Sequence, residues 1–351
     1  MGGKAITYHI IGGGISGLAA AKFIKKKNIK HKVILYEAAA APGGRCRSFF
    51  NRQLGRTIDN ATHVVLGANK NVLHLMKKPE FSGMANFFEN GRINRKFWKY
   101  PKLILLSVFN TKPAEIAFAL IRKSVLKLFP FLPKQLKIFY SKGDLSSQLI
   151  EPLSNYVDEM KTGYKLLDFS AKGNEISSLV FNKGKIDITP QDKIICALGA
   201  ANYGRIFNGP QFEFNEITNI FYRTSTPLTL PKDKKFVATP QNIADWIFIN
   251  KDIVAATISD SAGITDTNEE LARKVWLEIR ALNNIKAAFL PPYKVMRYKQ
   301  ATIKQDDANN KLRPGSAQSR YKNMALAGDW TMKDWPCCLE AAVLSAKRAV
   351  K

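Results

Sequence analysis

The chain begins with a short run of apolar and β-branched residues, Ile6 to Ile11. A glycine-rich turn follows, and Leu18 to Lys27 then has helical periodicity. A second β-branched run, Lys32 to Tyr36, ends at Glu37. A strand, a tight turn, a helix and a second strand predict a βαβ unit with a parallel sheet.

The rest of the chain shows short strands and separate helices. The predicted strands are Ser177 to Phe181, Lys185 to Ile188, Lys193 to Leu198, Trp246 to Asn250, Ile253 to Ile258 and Met324 to Ala327. The first two and the fourth and fifth are predicted to form hairpins. Asn268 to Leu282 has the pattern of a helix, and a closing helix is predicted to begin at Pro336. This part of the chain is therefore predicted to be mixed α+β.

An amphipathic helix is predicted from Ala114 to Phe129, where Pro130 ends it. Its apolar residues are Ile116, Leu120, Val125 and Leu128, and its basic residues are Arg122, Lys123 and Lys127. The surrounding segment, Phe97 to Tyr140, contains Glu115 as its only acid. Two interpretations remain open: a surface that lies on anionic lipid, or a helix that covers a substrate cavity.

Composition adds a charge that needs an explanation. The 351 residues are enough for about two domains of roughly 150 residues each. Hydrophobic residues make up 46% of the chain, which indicates a folded protein. The net charge of +26 would attract anionic partners such as nucleic acid or anionic lipid, unless it reflects a lysine-rich codon usage spread over a solvated surface.

The cysteines and the apolar runs bear on location. Cys46, Cys196, Cys337 and Cys338 form neither a C-x-x-C pair nor a metal-ligand spacing, so we expect no bound metal and no disulfide framework. Glycines interrupt the apolar stretch Tyr8 to Ala21, which therefore reads as core rather than as a secretory signal. No run reaches the roughly 18 apolar residues that cross a bilayer. The sequence predicts a cytoplasmic protein that does not span the membrane.

The glycine-rich turn carries the first candidate site. Gly12, Gly14 and Gly17 follow the pattern G-x-G-x-x-G between a strand and a helix, within the run Gly12, Gly13, Gly14, Ile15, Ser16 and Gly17. Such glycines let the backbone approach a pyrophosphate, which then lies at the positive end of the helix. Glu37 ends the next strand and could accept hydrogen bonds from a ribose. The alternative is a glycine turn without a ligand.

The next segment distinguishes between cofactors. The stretch Pro42 to Ser48, with Gly44 followed by Arg45, resembles the glycine–glycine–arginine segment of the amine oxidase and carotenoid desaturase superfamily. That resemblance implies FAD. Backbone N–H groups of the glycines could approach an anion, and the Arg45 guanidinium could contact a phosphate or the flavin. A solvated basic loop is the alternative.

Several stretches resemble hydroxysqualene dehydroxylases in particular. They are Gly44 to Phe49, Leu54 to Arg56, Ile58 to His63, Leu312 to Gly315 and Leu326 to Thr331, with Pro336 and Glu340 beyond. The resemblance implies reductive removal of a hydroxyl from hydroxysqualene to give squalene, in hopanoid and isoprenoid lipid synthesis. It also implies that Asp329, after Gly328, bonds a ribityl hydroxyl. His63 could donate a proton, or it could be a packed strand histidine. A turn or helix-cap role is the alternative for Asp329.

The resemblance implies an amine-oxidase-type architecture. We expect a Rossmann-like FAD-binding domain from residues 1–78, 141–210 and 301–351, and a discontinuous mixed α+β substrate domain from residues 79–140 and 211–300. The expected partners are an isoprenoid lipid and an anionic membrane at its inner face, and not nucleic acid. The oligomeric state stays open.

The chain departs from the resemblance at Ala61, Thr62, Trp335, Cys337 and Cys338, and its middle, roughly 81–140, looks short. Polyene desaturation, amine oxidation and a flavin-binding membrane-surface protein without catalysis therefore remain alternatives.

Overall fold

The structure is a computed structural model that describes residues 5–60, 62–83, 86–89, 92–94, 96–128, 137–141, 143–226, 228–230, 235–283, 285, 289–315, 317 and 319–351. Ala61, Phe129 and Pro130, which the sequence analysis singled out, lie outside the described residues.

The helices, in chain order, are α1 (Ile15–Lys27), α2 (Lys70–Leu75), α3 (Pro101–Phe109), α4 (Phe118–Leu128), α5 (Glu151–Ser154), α6 (Ala200–Phe207), α7 (Asn268–Asn283), α8 (Asp307–Leu312) and α9 (Leu339–Ala349). The 3₁₀ turns are Gly44–Cys46, Phe97–Lys99, Ser261–Gly263 and Asp329–Thr331, and a π-helical turn spans Ser146–Ile150.

The strands are β1 (Thr7–Ile11), β2 (Lys32–Glu37), β3 (Ser48–Asn51), β4 (Arg56–Asp59), β5 (Val65–Leu66), β6 (Pro79–Gly83), β7 (Phe87–Glu89), β8 (Arg92–Asn94), β9 (Ile138–Ser141), β10 (Glu159–Thr162), β11 (Leu166–Lys172), β12 (Glu175–Phe181), β13 (Gly184–Asp187), β14 (Lys193–Cys196), β15 (Phe214–Arg223), β16 (Phe236–Ala238), β17 (Trp246–Asn250), β18 (Ile253–Ser259), β19 (Tyr293–Ile303) and β20 (Met324–Leu326).

A parallel sheet carries the glycine-rich turn. Its order is β10-β2-β1-β14-β20, and Tyr8 of β1 pairs with Val33 of β2 on one side and Lys193 of β14 on the other. The short apolar strands are buried because α1 and α9 cover one face, while α6 and the sheet β11-β12-β13 cover the other. The predicted βαβ unit and its parallel sheet are confirmed.

A second sheet faces the parallel sheet across a cavity. Its order is β19-β15-β18-β17-β16-β7-β8, and the described pairs are antiparallel except β16 with β7. Helix α7 packs on one face through Leu271, Val275 and Ile279, whose i, i+4 spacing forms its apolar side. The other face looks toward the parallel sheet. The mixed α+β prediction for this region is confirmed.

Two smaller sheets are formed by strands β3 to β6 and β9. Strands β3 and β4 form a hairpin, and β9 lies between β5 and β6. Strands β3 to β6 follow Gly43 and Gly44 of the second glycine stretch, and β9 joins them from residues 138–141.

Two predicted helix boundaries are wrong. Helix α4 begins at Phe118 instead of Ala114, because Glu115 lies in a turn in which its N–H donates to the Lys112 carbonyl at 2.8 Å. Helix α9 begins at Leu339 instead of Pro336, with Cys338 as its extended N-cap residue. Among the described residues, no helix is long and apolar enough to cross a membrane.

Candidate cofactor and substrate site

A cavity of about 1020 Å³ runs between the parallel sheet and the seven-stranded sheet. Every residue predicted for the site lines it except Gly13 and Gly17. The lining members of that set are Gly12, Gly14, Ile15, Ser16, Glu37, Gly44, Arg45, His63, Gly328 and Asp329. Residues that are far apart in sequence therefore meet at one site, as the resemblance implied.

Two of the glycines are required by close packing. Gly12 has φ +107°, and a Cβ there would lie 2.7 Å from the Ala197 carbonyl oxygen. A Cβ on Gly17 would lie 2.0 Å from the Gly12 carbonyl oxygen. A larger residue at Gly12 would therefore push the turn away from the end of β14, and one at Gly17 would push α1 away from the turn, which is the packing role that the motif assigns to glycine.

Gly14 is different because it faces open space. A Cβ added to Gly14 would meet no atom within 4 Å, although Gly14 lines the cavity. It precedes α1, where no side chain caps the first turn, so the N–H groups of Ile15 and Ser16 remain at the positive end of the helix. This cradle suits a pyrophosphate.

The second glycine stretch is held against the first. The Gly43 N–H donates to the Gly13 carbonyl at 2.7 Å, and Gly14 and Gly43 form a parallel bridge. Gly43 and Gly44 have φ values of +118° and +54°, which glycine adopts without strain. Both glycine stretches thus form one continuous backbone surface along the cavity.

Glu37 is fixed by two backbone donors. Its Oε2 accepts the Gly13 N–H and its Oε1 accepts the Ala39 N–H, each at 2.7 Å. The carboxylate therefore has a set orientation at the end of β2, with lone pairs left for a ribose hydroxyl.

Arg45 and Asp329 join the two ends of the chain. Arg45 Nη2 donates to Asp329 Oδ1 at 2.8 Å, and its Nη1 donates to the Ala301 carbonyl at 2.8 Å. The Asp329 carboxylate raises the pKa of the Arg45 guanidinium, and burial opposes that shift. Arg45 is therefore a fixed cation in the cavity wall.

The turn that presents Asp329 is tightly built. Gly328 has φ +153°, its N–H donates to Ser345 Oγ at 2.8 Å, and a Cβ there would lie 2.5 Å from Trp330 Nε1. Arg313 is only 2% exposed and donates to the backbone carbonyls of Asp329 and Trp330, at 2.9 and 3.1 Å. The sequence did not predict these hydrogen bonds. Arg313 lies within the family-like stretch Leu312 to Gly315, but no role was predicted for it.

The start of α9 also faces the cavity. Pro336, Cys337, Cys338 and Leu339 line it. Burial raises the pKa of the Cys337 thiol to about 12 and that of Cys338 to about 11, so both are neutral thiols near pH 7. All four cysteines are free thiols.

His63 lies beside Arg45 rather than free in the cavity. Its Nε2 is 3.3 Å from the Arg45 carbonyl oxygen, which can only accept, so Nε2 carries the proton. Burial lowers the pKa of His63 to about 4, and the nearby Arg45 charge lowers it further. The imidazole is therefore almost entirely neutral near pH 7.

The far wall of the cavity is mostly apolar. Strands β7, β15 and β17 contribute Phe87, Ile217, Trp246 and Phe248, and α3 contributes Ile104 and Val108. The acids among the described lining residues are Glu37, Asp329 and Glu340, which all lie at the end formed by the glycine stretches and α9. Sequence reasoning did not find this wall, because its residues face one way only once the strands are in register.

Comparisons with sequence families agree with the geometry. Residues 10–79 match the NAD(P)-binding Rossmann-like domain, and residues 158–351 match the flavin containing amine oxidoreductase family. Hydroxysqualene dehydroxylase of Sinorhizobium fredii is 26% identical over 97% of this chain and 96% of its own length. Hydroxysqualene dehydroxylase of Rhodopseudomonas palustris is 27% identical over 98% of this chain and 97% of its own length. The Sinorhizobium alignment spans 413 positions against 351 residues here, so that relative has residues with no counterpart in this chain.

Solved structures share the fold. Cyclohexylamine oxidase from Brevibacterium oxydans superposes with a TM-score of 0.77 at 12% identity, covering 99% of this chain and 98% of its own. An oxidoreductase from Methanosarcina mazei superposes with a TM-score of 0.72 at 11% identity, covering 97% of this chain and 99% of its own. The predicted amine-oxidase-type fold and the predicted FAD cofactor are confirmed. The chain is an FAD-dependent oxidoreductase and belongs to the flavin-containing amine oxidoreductase family.

Proposed function

We propose that this chain removes the hydroxyl group of hydroxysqualene reductively to give squalene, a step of isoprenoid and hopanoid lipid synthesis. The observation that carries the proposal is the shape of the cavity, which joins the cofactor loops to a largely apolar far wall. Such a wall suits a long hydrocarbon. The relatives named hydroxysqualene dehydroxylase, which align over nearly the whole chain, support this choice of substrate.

The residues around the glycine stretches would hold the cofactor. Gly12 to Gly17 would cradle the pyrophosphate, Glu37 would bind the ribose, and Gly44 with Arg45 would contact phosphate or flavin. Gly328 and Asp329 would bind the ribityl chain. The open space at Gly14 and the oriented Glu37 carboxylate fit these roles. Bound reduced FAD supplies a hydride. We propose the FAD-binding domain as residues 1–78, 141–210 and 301–351, and the substrate domain as residues 79–140 and 211–300.

The protein's own contribution would be orientation and exclusion of water. The reaction consumes the alcohol, one hydride and one proton, and it yields the hydrocarbon and water. An allylic alcohol loses its hydroxyl toward a delocalised cation, which bulk water would trap. Ile217, Trp246 and Phe248 on the far wall would keep water away from that cation. The protein thereby favours quenching by hydride over addition of solvent.

For His63 we propose the packing role instead of proton donation. Its single proton is directed at the Arg45 carbonyl, and its pKa of about 4 leaves few molecules charged near neutral pH. The histidine would then fix the loop that presents Arg45 to the cofactor.

Amine oxidation and polyene desaturation are the competing reactions of this fold. A cationic amine would favour a carboxylate that is free to pair with its nitrogen. The lining acids of the described residues already have partners: Glu37 accepts two backbone N–H groups, Asp329 accepts from Arg45, and Glu340 accepts from Asn71 and Val72. Incubating the purified protein with hydroxysqualene, a polyene or an amine, followed by product analysis, separates these reactions. Formation of squalene from hydroxysqualene supports the proposal. Peroxide formation with the amine, without any squalene from hydroxysqualene, contradicts it. Turnover of any of them also excludes a flavin-binding protein without catalysis.

We also propose that helices α3 and α4 rest on an anionic membrane at its inner face. The two helices pack together through Phe109, Ala117 and Leu120, and both contribute residues to the cavity lining. On the outside, Phe118 is 73% exposed and Leu126 is 62% exposed. Exposed apolar residues beside basic ones suit an interface with anionic lipid. A substrate dissolved in the bilayer would then enter the cavity beneath these helices.

A further inference from the structure

The far wall of the cavity carries a polar pair among apolar residues. Asn219 on β15 and Thr257 on β18 lie opposite each other in the antiparallel register. The Thr257 hydroxyl donates to Asn219 Oδ1 at 2.8 Å, and both residues line the cavity. Ile217, Trp246 and Phe248 lie on the same face of the sheet. Together with the neighbouring Ser259 and Tyr298, the pair forms a local polar site in a largely apolar wall.

The Asn219 amide is incompletely bonded. Its Nδ2 has no hydrogen-bond partner among the described residues, although Asn219 is only 1% exposed. Exchanging the amide nitrogen and oxygen would leave the oxygen unbonded instead, so one polar atom is unpaired in either assignment. Buried polar groups without partners are rare in native proteins, because water no longer satisfies them. A ligand in the cavity would supply the missing partner.

The strand beside the pair is bonded to the cofactor end of the cavity. Tyr298 on β19 pairs with Ile217, which is two residues from Asn219 and therefore roughly 7 Å away along the strand. The Tyr298 hydroxyl donates to Asn60 Oδ1, and Asn60 Nδ2 donates to the Gly44 carbonyl at 3.2 Å. Tyr298 and Asn60 thus link β19, the strand beside Asn219, to Gly44 in the second glycine stretch.

We propose that the Asn219 amide binds the hydroxyl oxygen of the substrate, with Thr257 fixing the orientation of the amide. This inference rests on the proposed function. An N–H directed at the hydroxyl oxygen would position the C–O bond that breaks. It would also favour the alcohol over the hydrocarbon product, because a site built to bond a hydroxyl rejects a ligand that lacks one. The product would therefore leave the site readily.

Ser124 on α4 provides a matched control. Its Oγ also lines the cavity side of the protein and has no hydrogen-bond partner among the described residues. A helical serine can turn its hydroxyl to the carbonyl four residues earlier, so this group does not need a ligand. Asn219 has no such local acceptor or donor to turn to, since its strand carbonyls and N–H groups bond across the sheet.

The test measures binding without turnover. Holoenzyme with oxidised FAD is titrated with hydroxysqualene and with squalene, and the flavin absorbance reports the two dissociation constants. We expect the wild type to bind the alcohol at least about tenfold more tightly. Asn219→Leu and Asn219→Ala should each abolish this preference by weakening only the binding of the alcohol. Thr257→Val should reduce it in part, and Ser124→Ala should preserve it.

A stability readout separates loss of a ligand group from misfolding. Asn219→Leu removes an unpaired buried amide but also removes the acceptor of the Thr257 hydroxyl, and these two effects oppose each other. The ligand-free holoenzyme should therefore keep its FAD and melt close to the wild type. If both Asn219 variants kept the wild-type preference for the alcohol, the inference would be overturned while the proposed function stood. If the wild type showed no preference and formed no squalene, the proposed function would fail, and this inference with it.

Discussion

Arg45 and Asp329 are 284 residues apart in the chain, yet Arg45 Nη2 donates to Asp329 Oδ1 across 2.8 Å. Arg45 follows the second glycine stretch, and Asp329 follows the last strand of the parallel sheet. Their pairing closes the cofactor end of the cavity, where both residues are in the lining. The assembly of the site therefore requires the complete fold rather than the amino-terminal βαβ unit alone.

Arg45→Met should lower both stability and FAD affinity. The Asp329 side chain is 7% exposed and would lose its cation, while the Arg45 side chain is 49% exposed, which reduces the energetic effect. We predict a decrease of about 1–2 kcal/mol in the free energy of unfolding of the FAD-free protein, measured in urea. FAD fluorescence titration should show weaker binding.

The double variant Arg45→Met with Asp329→Asn provides the control. It should recover part of the stability, because no unpaired buried carboxylate remains. FAD affinity should not recover. Strictly additive losses of stability would show that the two side chains are not coupled.

Gly14→Val should block FAD binding without unfolding the protein. The Gly14 backbone has φ −72° and ψ 177°, which valine adopts, and its Cβ position meets no protein atom within 4 Å. The added methyl groups would fill the proposed pyrophosphate cradle. The purified variant should be colourless, with the same melting temperature as FAD-free wild type.

Gly263→Val is the matched control for that substitution. Gly263 also has open space around a Cβ, but it is exposed at the end of a 3₁₀ turn and does not line the cavity. This variant should retain FAD. Yellow Gly14→Val protein with stoichiometric FAD would contradict the proposed position of the pyrophosphate.

His63→Gln should retain FAD and change the rate less than about tenfold near pH 7, since the neutral imidazole donates its only N–H to the Arg45 carbonyl. Because burial lowers the pKa of His63 to about 4, the unfolded chain binds this proton at higher pH than the folded chain. The stability that neutral His63 contributes is thus present above about pH 6.5 and lost as pH falls toward 4.

Urea unfolding of wild type and His63→Gln at pH 7 and pH 5 isolates this contribution. Between pH 7 and pH 5, the free energy of unfolding should fall more in the wild type than in His63→Gln. A variant that keeps its FAD but loses about a thousandfold in rate would instead assign the leaving-group proton to His63.

Replacing Phe118 and Leu126 together with serine should weaken binding to anionic vesicles. Both side chains are exposed on α4, and each would lose its insertion into the lipid interface. Arg122→Gln should weaken binding about fivefold, since a surface cation contributes roughly 1 kcal/mol near such a membrane. Vesicle sedimentation at low and high salt measures both effects, and salt should reduce wild-type binding.

Leu277→Ser tests whether replacing any exposed apolar residue weakens binding to anionic vesicles. Leu277 is 57% exposed on α7, on the outer side of the second sheet. Its substitution should leave vesicle binding unchanged. Equal losses in the α4 and α7 variants would argue against α3 and α4 as the membrane contact.

The features that the sequence predicted correctly are those determined by residues that are close together in the chain. The turn at Gly12 to Gly17, the helix after it and the end of β2 at Glu37 follow from local periodicity and glycine spacing. The hairpin of β17 and β18 is similarly local, and Lys251 in its turn has φ +56°. Local signals sufficed for these elements.

The remaining site residues depend on contacts between distant segments. Arg313 gives no local sign that it is buried against the Asp329 turn, and the Asn219–Thr257 pair exists only through the register of β15 and β18. The α4 boundary was missed because a turn at Glu115 competes with the helical pattern. These features require the tertiary structure.

The most direct test of the proposed function is a single turnover without oxygen. Purified holoenzyme carrying chemically reduced FAD is mixed with hydroxysqualene, and flavin absorbance and extracted lipids are followed together. We predict that one squalene forms for each flavin that is reoxidised, and that Gly14→Val protein forms none. Hydroxysqualene that remains unchanged while the flavin stays reduced would contradict the proposed function.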